Sequence, residues 1–262
     1  MQSVPSTETP PAQGEPAVLA QLQHNRLLGA FAPADRKLLL RHAEIVELAT
    51  GTVLVESGDD VVHTYFPTSG AMAALILVMR DGSIAEAATI GKEGAIGGIV
   101  SAGHKPAFAR AMVQLPGPCL RIETSRLEEA KRASPHLHDL FARYADALLA
   151  QVLQSVVCNA LHSLDQRCCR WLLTTRDRVG GDALDVTQEF ISHMLGVQRT
   201  TVTRTLGDLA RRGLIEQARG RITILDPRKL EKASCECYRS VRDHFARILP
   251  EMAERPPGST PF

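Results

Sequence analysis

Apolar positions along the chain change period twice. Before Glu44 the spacing is helical: Leu22, Leu27 and Leu28 are followed by "APADRKLLLRHA", where Pro33 stands at a helix start. From about Glu44 to Glu123 the apolar residues come in short runs. Turn signals interrupt them at Thr50-Gly51, Gly58-Asp59, Ser69-Gly70, Asp81-Gly82 and Gly91. Short strands at that regular spacing predict a small antiparallel roll or barrel. After Thr124 the helical period returns. "SRLEEAKRA" predicts one helix, and Pro135 opens a long second one. In it Leu140, Tyr144, Leu148, Val152, Val156 and Ala160 form one apolar column. Phe141, Ala145, Leu149, Leu153, Val157 and Leu161 form another beside it. Two adjacent columns are more than one small sheet needs for its cover, so the helix is expected to pack both on its own sheet and on the same helix of a second subunit.

"SLDQRCCRWLLTTRDRVGG" predicts a further helix with Cys169, Leu172 and Leu173 inward, ended by Gly180-Gly181. Thr187 then makes a good N-cap, with Gln188 and Glu189 in the first turn and Phe190, Ile191 and Met194 as its apolar positions. Gly196 supplies a tight turn into "VQRTTVTRTLGDLARRG", where Val202, Leu206 and Leu209 fall at i, i+4 and i+7. Two helices joined by a short glycine-containing turn make a helix-turn-helix. Leu214-Ile215, the turn Ala218-Arg219-Gly220-Arg221 and the alternating "RITIL" add a β-hairpin, which makes the unit winged. The expected fold class is therefore α+β. Its parts are a flexible tail (1–18), an antiparallel β-roll of double-stranded β-helix type (19–134), a long central dimerisation helix (135–163), a winged helix-turn-helix (164–230), and a C-terminal helix and tail (231–262).

β-Branched threonine is a weak helix former, so Thr200, Thr201, Thr203 and Thr205 in one helix need a reason. Arg199, Thr200, Thr203 and Arg204 share a face near the helix start, away from the apolar one. A recognition helix meets base edges in the major groove with that part of its surface. Arginine pairs bidentately with guanine, and threonine offers a hydroxyl to a base or a methyl to thymine. Gln198 and Thr201 are placed to reach phosphates, as are Thr187 and Gln188 at the first helix start and Arg219 and Arg221 on the wing.

Net charge is only +1 over 262 residues, so any nucleic-acid footprint has to be local. Between Gly196 and Leu225 it is local: Arg199, Arg204, Arg211, Arg212, Arg219 and Arg221 face only Asp208 and Glu216. The six cysteines lack CxxC spacing and no secretory signal precedes them, so reduced thiols and a cytoplasmic location are expected. No iron–sulfur or haem ligand set is apparent and no metal site is expected. The Cys235-Cys237 pair could bind metal with a distant partner but is read in preference as part of a surface helix, and His63 and His193 are read as packed or exposed rather than ligating. The apolar region Ala145–Leu161 is broken by Gln151, Gln154 and Asn159 and falls short of a membrane span.

A roll, a long helix and a winged helix-turn-helix in this order resemble the Crp/Fnr family of bacterial transcription regulators over about Asn25 to Leu230. The motifs that carry the likeness are "TQEFISHMLGVQRTTVTRTLGDLARRGLI" and, less specifically, "VHTYFPTSG". The resemblance implies a homodimer reading a palindromic operator in double-stranded DNA, with RNA polymerase as a further partner and an effector acting through the roll. It also implies that Arg199 and Arg204 read guanine. Thr200 stands where many members carry a glutamate, so the preferred half-site should differ at that base pair. Members that bind cyclic nucleotides have a Gly-Glu opening a short helix and a downstream Arg-Ser or Arg-Thr. Here Gly97 matches the glycine, Gly98 replaces the glutamate, Ile99 follows, and Phe108-Ala109 falls where the arginine pair is expected. Arg110 is the nearby substitute for a phosphate ligand. Without the carboxylate, cyclic AMP is not the expected effector, which leaves another nucleotide, such as a cyclic dinucleotide, or none.

An enzyme is disfavoured. "ATIGKEG" lacks the upstream glycine of a phosphate loop and has Glu93 at the Ser/Thr position, and Ser101 has no GxSxG frame. The alternative outside catalysis is a winged helix that binds protein, joined to a roll that senses nothing.

Overall fold

The computed structural model of the chain describes residues 15–97 and 106–252. Helix α1 (Glu15–Leu22) begins inside the stretch expected to be tail, because Val18 and Leu22 find apolar cover. Helices α2 (Arg26–Gly29) and α3 (Pro33–Leu40) follow, with Pro33 at the first helical position as its fixed φ favours.

The roll runs over β1 (Glu44–Leu48), β2 (Val53–Val55), β3 (His63–Pro67), β4 (Met72–Val78), β5 (Ile84–Ile90), β6 (Arg110–Leu115) and β7 (Gly117–Glu123). Antiparallel pairing builds two sheets, ordered β1-β7-β3 and β2-β6-β4-β5. The strands begin at Glu44 and end at Glu123, the limits that the spacing of turn residues sets.

Helix α4 (Thr124–Ala133) leads to the central helix α5 (Pro135–Leu161), 27 residues long. Ser134 caps α5 by accepting from the Leu137 N–H, and Pro135 occupies the position whose N–H would be unused. Its first half is core: Leu137, Leu140, Phe141, Tyr144 and Ala147 pack with Phe66, Leu120 and Ile122 of the roll. The Tyr144 hydroxyl accepts from the Ala95 N–H at 3.1 Å. Its second half carries Leu149, Leu153, Val156, Val157 and Leu161 on the surface, and Leu161 is 75% exposed. The apolar columns thus divide along the helix, with the N-terminal part facing the roll and the C-terminal part bare.

Helix α6 (Leu164–Val179) opens with a capping box between Ser163 and Gln166 and stops at Gly180. Then come β8 (Ala183–Leu184), α7 (Gln188–Leu195), α8 (Arg199–Arg211), β9 (Ile215–Ala218) and β10 (Arg221–Ile224). The wing is three-stranded, β8-β10-β9, one short strand more than the hairpin read from the sequence. Helix α9 (Pro227–Ala233) spans position 230, where a boundary was expected. Helix α10 (Cys237–Ile248) and a short 3-10 turn (Pro250–Met252) follow. Among the described residues, Leu249 and Met252 join the core under α1, α2 and α5.

One continuous apolar cluster joins Met72, Ala74, Ile76 and Leu115 of the roll to Leu172, Ile191, Leu206 and Ile222 of the C-terminal part. Each such fully buried aliphatic side chain contributes about 1.5–3 kcal/mol relative to exposure. Polar contacts cross the same seam. The Trp171 indole N–H donates to Glu86 at 3.3 Å, and the Gln114 amide donates to the Met194 sulfur at 2.6 Å. At the other side Arg178 of α6 is nearly buried. It meets Glu93 at 2.8 Å, Gln151 of α5 at 2.7 Å, and the Thr89 hydroxyl. Glu93, which spoiled the phosphate-loop reading, therefore has a structural task. Its carboxylate accepts from the Gly91 N–H and neutralises Arg178 where roll, α5 and α6 meet.

Candidate nucleic-acid interface

The Thr187 hydroxyl accepts from the Phe190 N–H at 3.1 Å and starts α7. Gly196 ends it in the left-handed conformation (φ 64°), which glycine adopts without the penalty a Cβ would bring. The chain then turns into α8, whose Val202, Leu206 and Leu209 are buried at the expected helical spacing. Arg167 of α6 donates to the Leu195 carbonyl at 2.6 Å, which satisfies the end of α7 and fixes the angle between the two helices.

Burying one face of α8 presents the other. Gln198, Arg199, Thr200, Thr203 and Arg204 are all exposed, and Thr201 is half-buried. Gln198 precedes the helix without a side-chain capping bond, so the amide-rich start of α8 is open to an anion. Thr203 is held: its hydroxyl lies 2.7 Å from the Gln188 amide oxygen and 3.0 Å from the Arg199 carbonyl. Gln188 donates in turn to Gln217 of β9 at 3.1 Å. This polar chain ties both helices to the wing and steadies the face that Arg199 and Arg204 occupy. Gln217 was not singled out from the sequence, since nothing in its neighbours marks a contact 29 residues back.

The threonines divide by burial. Thr205 is only 3% exposed, and its hydroxyl bonds the Asp165 carboxylate at 3.0 Å. It fastens α8 to the start of α6, while Thr200 and Thr203 face outward. Both wing arginines are exposed. Arg221 pairs with Asp185 at 2.6 Å, an exposed pair of small energetic weight that orients its guanidinium, and Arg219 sits in the two-residue turn.

In the roll, Gly97 has φ +95°, and a Cβ there would lie 2.6 Å from the His63 carbonyl, so the position requires glycine. Gly98 and Ile99 lie outside the described residues. Arg110 pairs with Glu56 at 2.7 Å, so a phosphate at Arg110 would have to displace that carboxylate. Phe108 is 85% exposed, and its carbonyl accepts from the Ser57 hydroxyl. His63 is half-buried beside Tyr65, and burial lowers its pKa. His193 is exposed.

Cys235 and Cys237 depart from expectation. Both are buried, together with Cys158, because α10 folds back over the end of α5 instead of running over the surface. His162 completes the group. The sequence held one unread signal, the Cys158/His162 spacing of i, i+4 on α5.

No helix among the described residues is long and apolar enough to cross a membrane. Residues 166–233 match the Crp-like helix-turn-helix domain family. The chain is 26% identical over 185 residues to the global nitrogen regulator of Nostoc sp. (strain PCC 7120), covering 67% of this chain and 82% of that protein. Among solved structures, a Crp-family transcriptional regulator of Thermus thermophilus superposes with a TM-score of 0.58 at 21% identity, over 72% of this chain and 96% of the other. The c-di-GMP-responsive global regulator CLP of Xanthomonas campestris gives 0.59 at 16% identity, over 74% of this chain and 100% of the other. At those identities the two structures establish the fold. The helix-turn-helix match adds the kind of domain, a Crp-like helix-turn-helix over residues 166–233. With an exposed polar face on α8 behind a roll and a central helix, the chain has the fold of the Crp-family regulator and carries that Crp-like domain at its C-terminal side.

Proposed function

We propose that the protein is a homodimeric, sequence-specific regulator that reads a palindromic operator through α8. The observation that carries this reading is the outward set Arg199, Thr200, Thr203 and Arg204 at the start of α8, held by the Thr203–Gln188–Gln217 chain. Arg199 and Arg204 read guanine edges. Thr200 replaces a carboxylate acceptor with a hydroxyl and a methyl, which moves the preference at its base pair away from cytosine. Gln198, Thr201, Thr187, Gln188, Arg219 and Arg221 hold phosphates and set the register.

The second subunit covers the bare half of α5. Leu149, Leu153, Val156, Val157 and Leu161 form an exposed apolar stripe over its last turns, which a twofold copy of the helix would bury. The working domains are then the roll (19–134), the dimerisation helix (135–163) and the winged domain (164–230), acting in the cytoplasm with RNA polymerase. The effector of the roll is a ligand other than cyclic AMP. The absent Gly-Glu carboxylate argues against a cyclic-AMP pocket, and any phosphate-bearing ligand at Arg110 has to displace Glu56. A cyclic dinucleotide around Gly97, Gly98, Ile99 and Arg110 is the leading candidate.

Selection of bound duplexes from a random pool at moderate salt, with no nucleotide added, tests the reading. A twofold-symmetric enriched site is expected. If none emerges either alone or with a panel of cyclic mono- and dinucleotides, sequence-specific reading by α8 is wrong.

A further inference from the structure

Four residues that the DNA-reading surface does not use converge where the central helix ends. Cys158 and His162 sit on the last turn of α5 and at its C-cap, one helical turn apart on the same face. Cys235 lies between α9 and α10, and Cys237 opens α10. One ligand atom from each falls within 4.8 Å of all the others. The Cys158 and Cys235 sulfurs are 3.5 Å apart, and the Cys237 sulfur is 3.4 Å from His162 Nδ1. A tetrahedral ion with bonds of about 2.3 Å to sulfur and about 2.0 Å to nitrogen would hold its ligands roughly 3.5–3.8 Å apart. The two measured edges are therefore already near coordination distance.

The surroundings fit a coordinating group better than plain packing. His162 Nε2, the nitrogen turned away from Cys237, lies 3.3 Å from the Glu236 carboxylate. A carboxylate behind a ligating imidazole is the arrangement that fixes its tautomer and aims the other nitrogen at a metal. The Gln154 amide donates to the Cys237 sulfur at 3.1 Å, a bond that favours a thiolate there. Three thiolates around a divalent ion leave one net negative charge. Arg167 and Arg170 of α6 lie within electrostatic reach of Cys158, and the buried Nε of each has no hydrogen-bond partner. All three cysteines are buried, and the His162 side chain retains 14% exposure, so an ion has a way in at one edge.

We infer that Cys158, His162, Cys235 and Cys237 form a closed Cys3His site for Zn2+. Binding releases three thiol protons to solvent and leaves no open coordination position, so the ion is structural and not catalytic. Thiolate and imidazole donors in a tetrahedral set select zinc over the oxygen-seeking divalent cations. The position gives the site a consequence. Cys158 and His162 precede the matched DNA-binding domain and Cys235 and Cys237 follow it, with Cys158 and Cys235 77 residues apart. The ion would staple both ends of the domain to the end of the dimerisation helix and so set the angle at which the domain is held. Loss of zinc would free that angle.

The test uses the full chain purified under reducing conditions. Elemental analysis is expected to find one zinc per chain. After chelation, Co2+ should restore an intense tetrahedral d–d spectrum with thiolate-to-cobalt charge transfer. Cys235→Ser and His162→Ala should each lose the metal, while Cys119→Ser, in the roll, keeps it. Chelation should lower the melting temperature of the parent and leave that of Cys235→Ser unchanged. The parent's cobalt spectrum needs no variant, so a misfolded variant does not blunt the test. A chain that takes up neither zinc nor cobalt overturns the site. So does cobalt bound without thiolate charge transfer, or peptide mapping that finds a Cys158–Cys235 disulfide in a chain whose reduced form has no metal affinity. None of these readouts depends on DNA, so the site and the operator reading fail separately.

Discussion

Arg204 and Arg219 carry the same charge and make opposite predictions because of where they stand. Arg204 projects from the outward face of α8, whose inner face is locked by Val202, Leu206 and Leu209. Arg204→Ala should cost roughly 1–3 kcal/mol on the selected duplex and relax the preference at one base pair. Arg219 sits in the two-residue turn of the wing, where the proposed reading gives it a phosphate rather than a base. Its replacement by alanine should weaken binding to every sequence alike and make the salt dependence less steep by about one phosphate contact. Titrations of cognate and scrambled duplexes at several salt concentrations measure both. Equal losses for Arg204→Ala on the two duplexes would remove it from base reading. Thr205 shows why residue type alone misleads at this scale. It shares its neighbours' chemistry, yet its hydroxyl is spent on Asp165 inside the domain.

The stripe on α5 makes its prediction at the scale of an element. The half that packs on the roll is satisfied within the chain, and the exposed half is not. Leu153→Asp combined with Val157→Asp should yield a folded monomer in sedimentation experiments, with an unchanged helical spectrum and weak binding to a two-half-site duplex. A dimer that persists would move the interface elsewhere. Most elements were legible because each has a local cause. Pro33 and Pro135 start helices, Ser163 and Thr187 cap them, Gly180 and Gly196 end them, and the turn residues between Glu44 and Glu123 divide the strands. The C-terminal end was not legible. Nothing local in "KASCECYRS" says that α10 turns back onto α5, because its cover consists of residues far away in sequence. The cysteines looked like surface residues for the same reason. The outward polar face of α8 could be read in advance because one helix carries it whole. The pairing of Arg110 with Glu56 could not, because the two lie 54 residues apart in sequence.

At the scale of the whole molecule, two of the polar contacts that join the roll to the DNA-binding domain, those of Glu86 and Arg178, are of opposite character. Glu86 is half-covered and crowded by Gln114, Trp171, Arg170 and Arg178, and burial raises its pKa against the pull of those partners. A carboxyl raised on folding contributes stability that is complete at acid pH and is lost as the pH rises through its folded-state value. Glu86→Gln should therefore match the parent at acid pH and exceed it at alkaline pH. Denaturant midpoints at the two pH values measure this, and a pH-independent difference would mean that the proton is not the cause. Arg178 acts the other way. Its guanidinium holds Glu93 and Thr89 of the roll and Gln151 of α5, with 6% and 14% exposure for the two charged side chains. Arg178→Met removes one charge and leaves the other enclosed, a loss of about 3 kcal/mol or more. Adding Glu93→Gln should restore much of it, because the stranded carboxylate is then gone. The single tryptophan, Trp171, stands on the seam at Glu86 and reports whether the seam opens. In Arg178→Met its fluorescence transition should precede the loss of helical signal, as the domain leaves the roll before either unfolds. Coincident transitions with the full loss of stability would make Arg178 a support of α6 alone, and the two halves would then be coupled through their shared apolar core and the Glu86–Trp171 and Gln114–Met194 contacts.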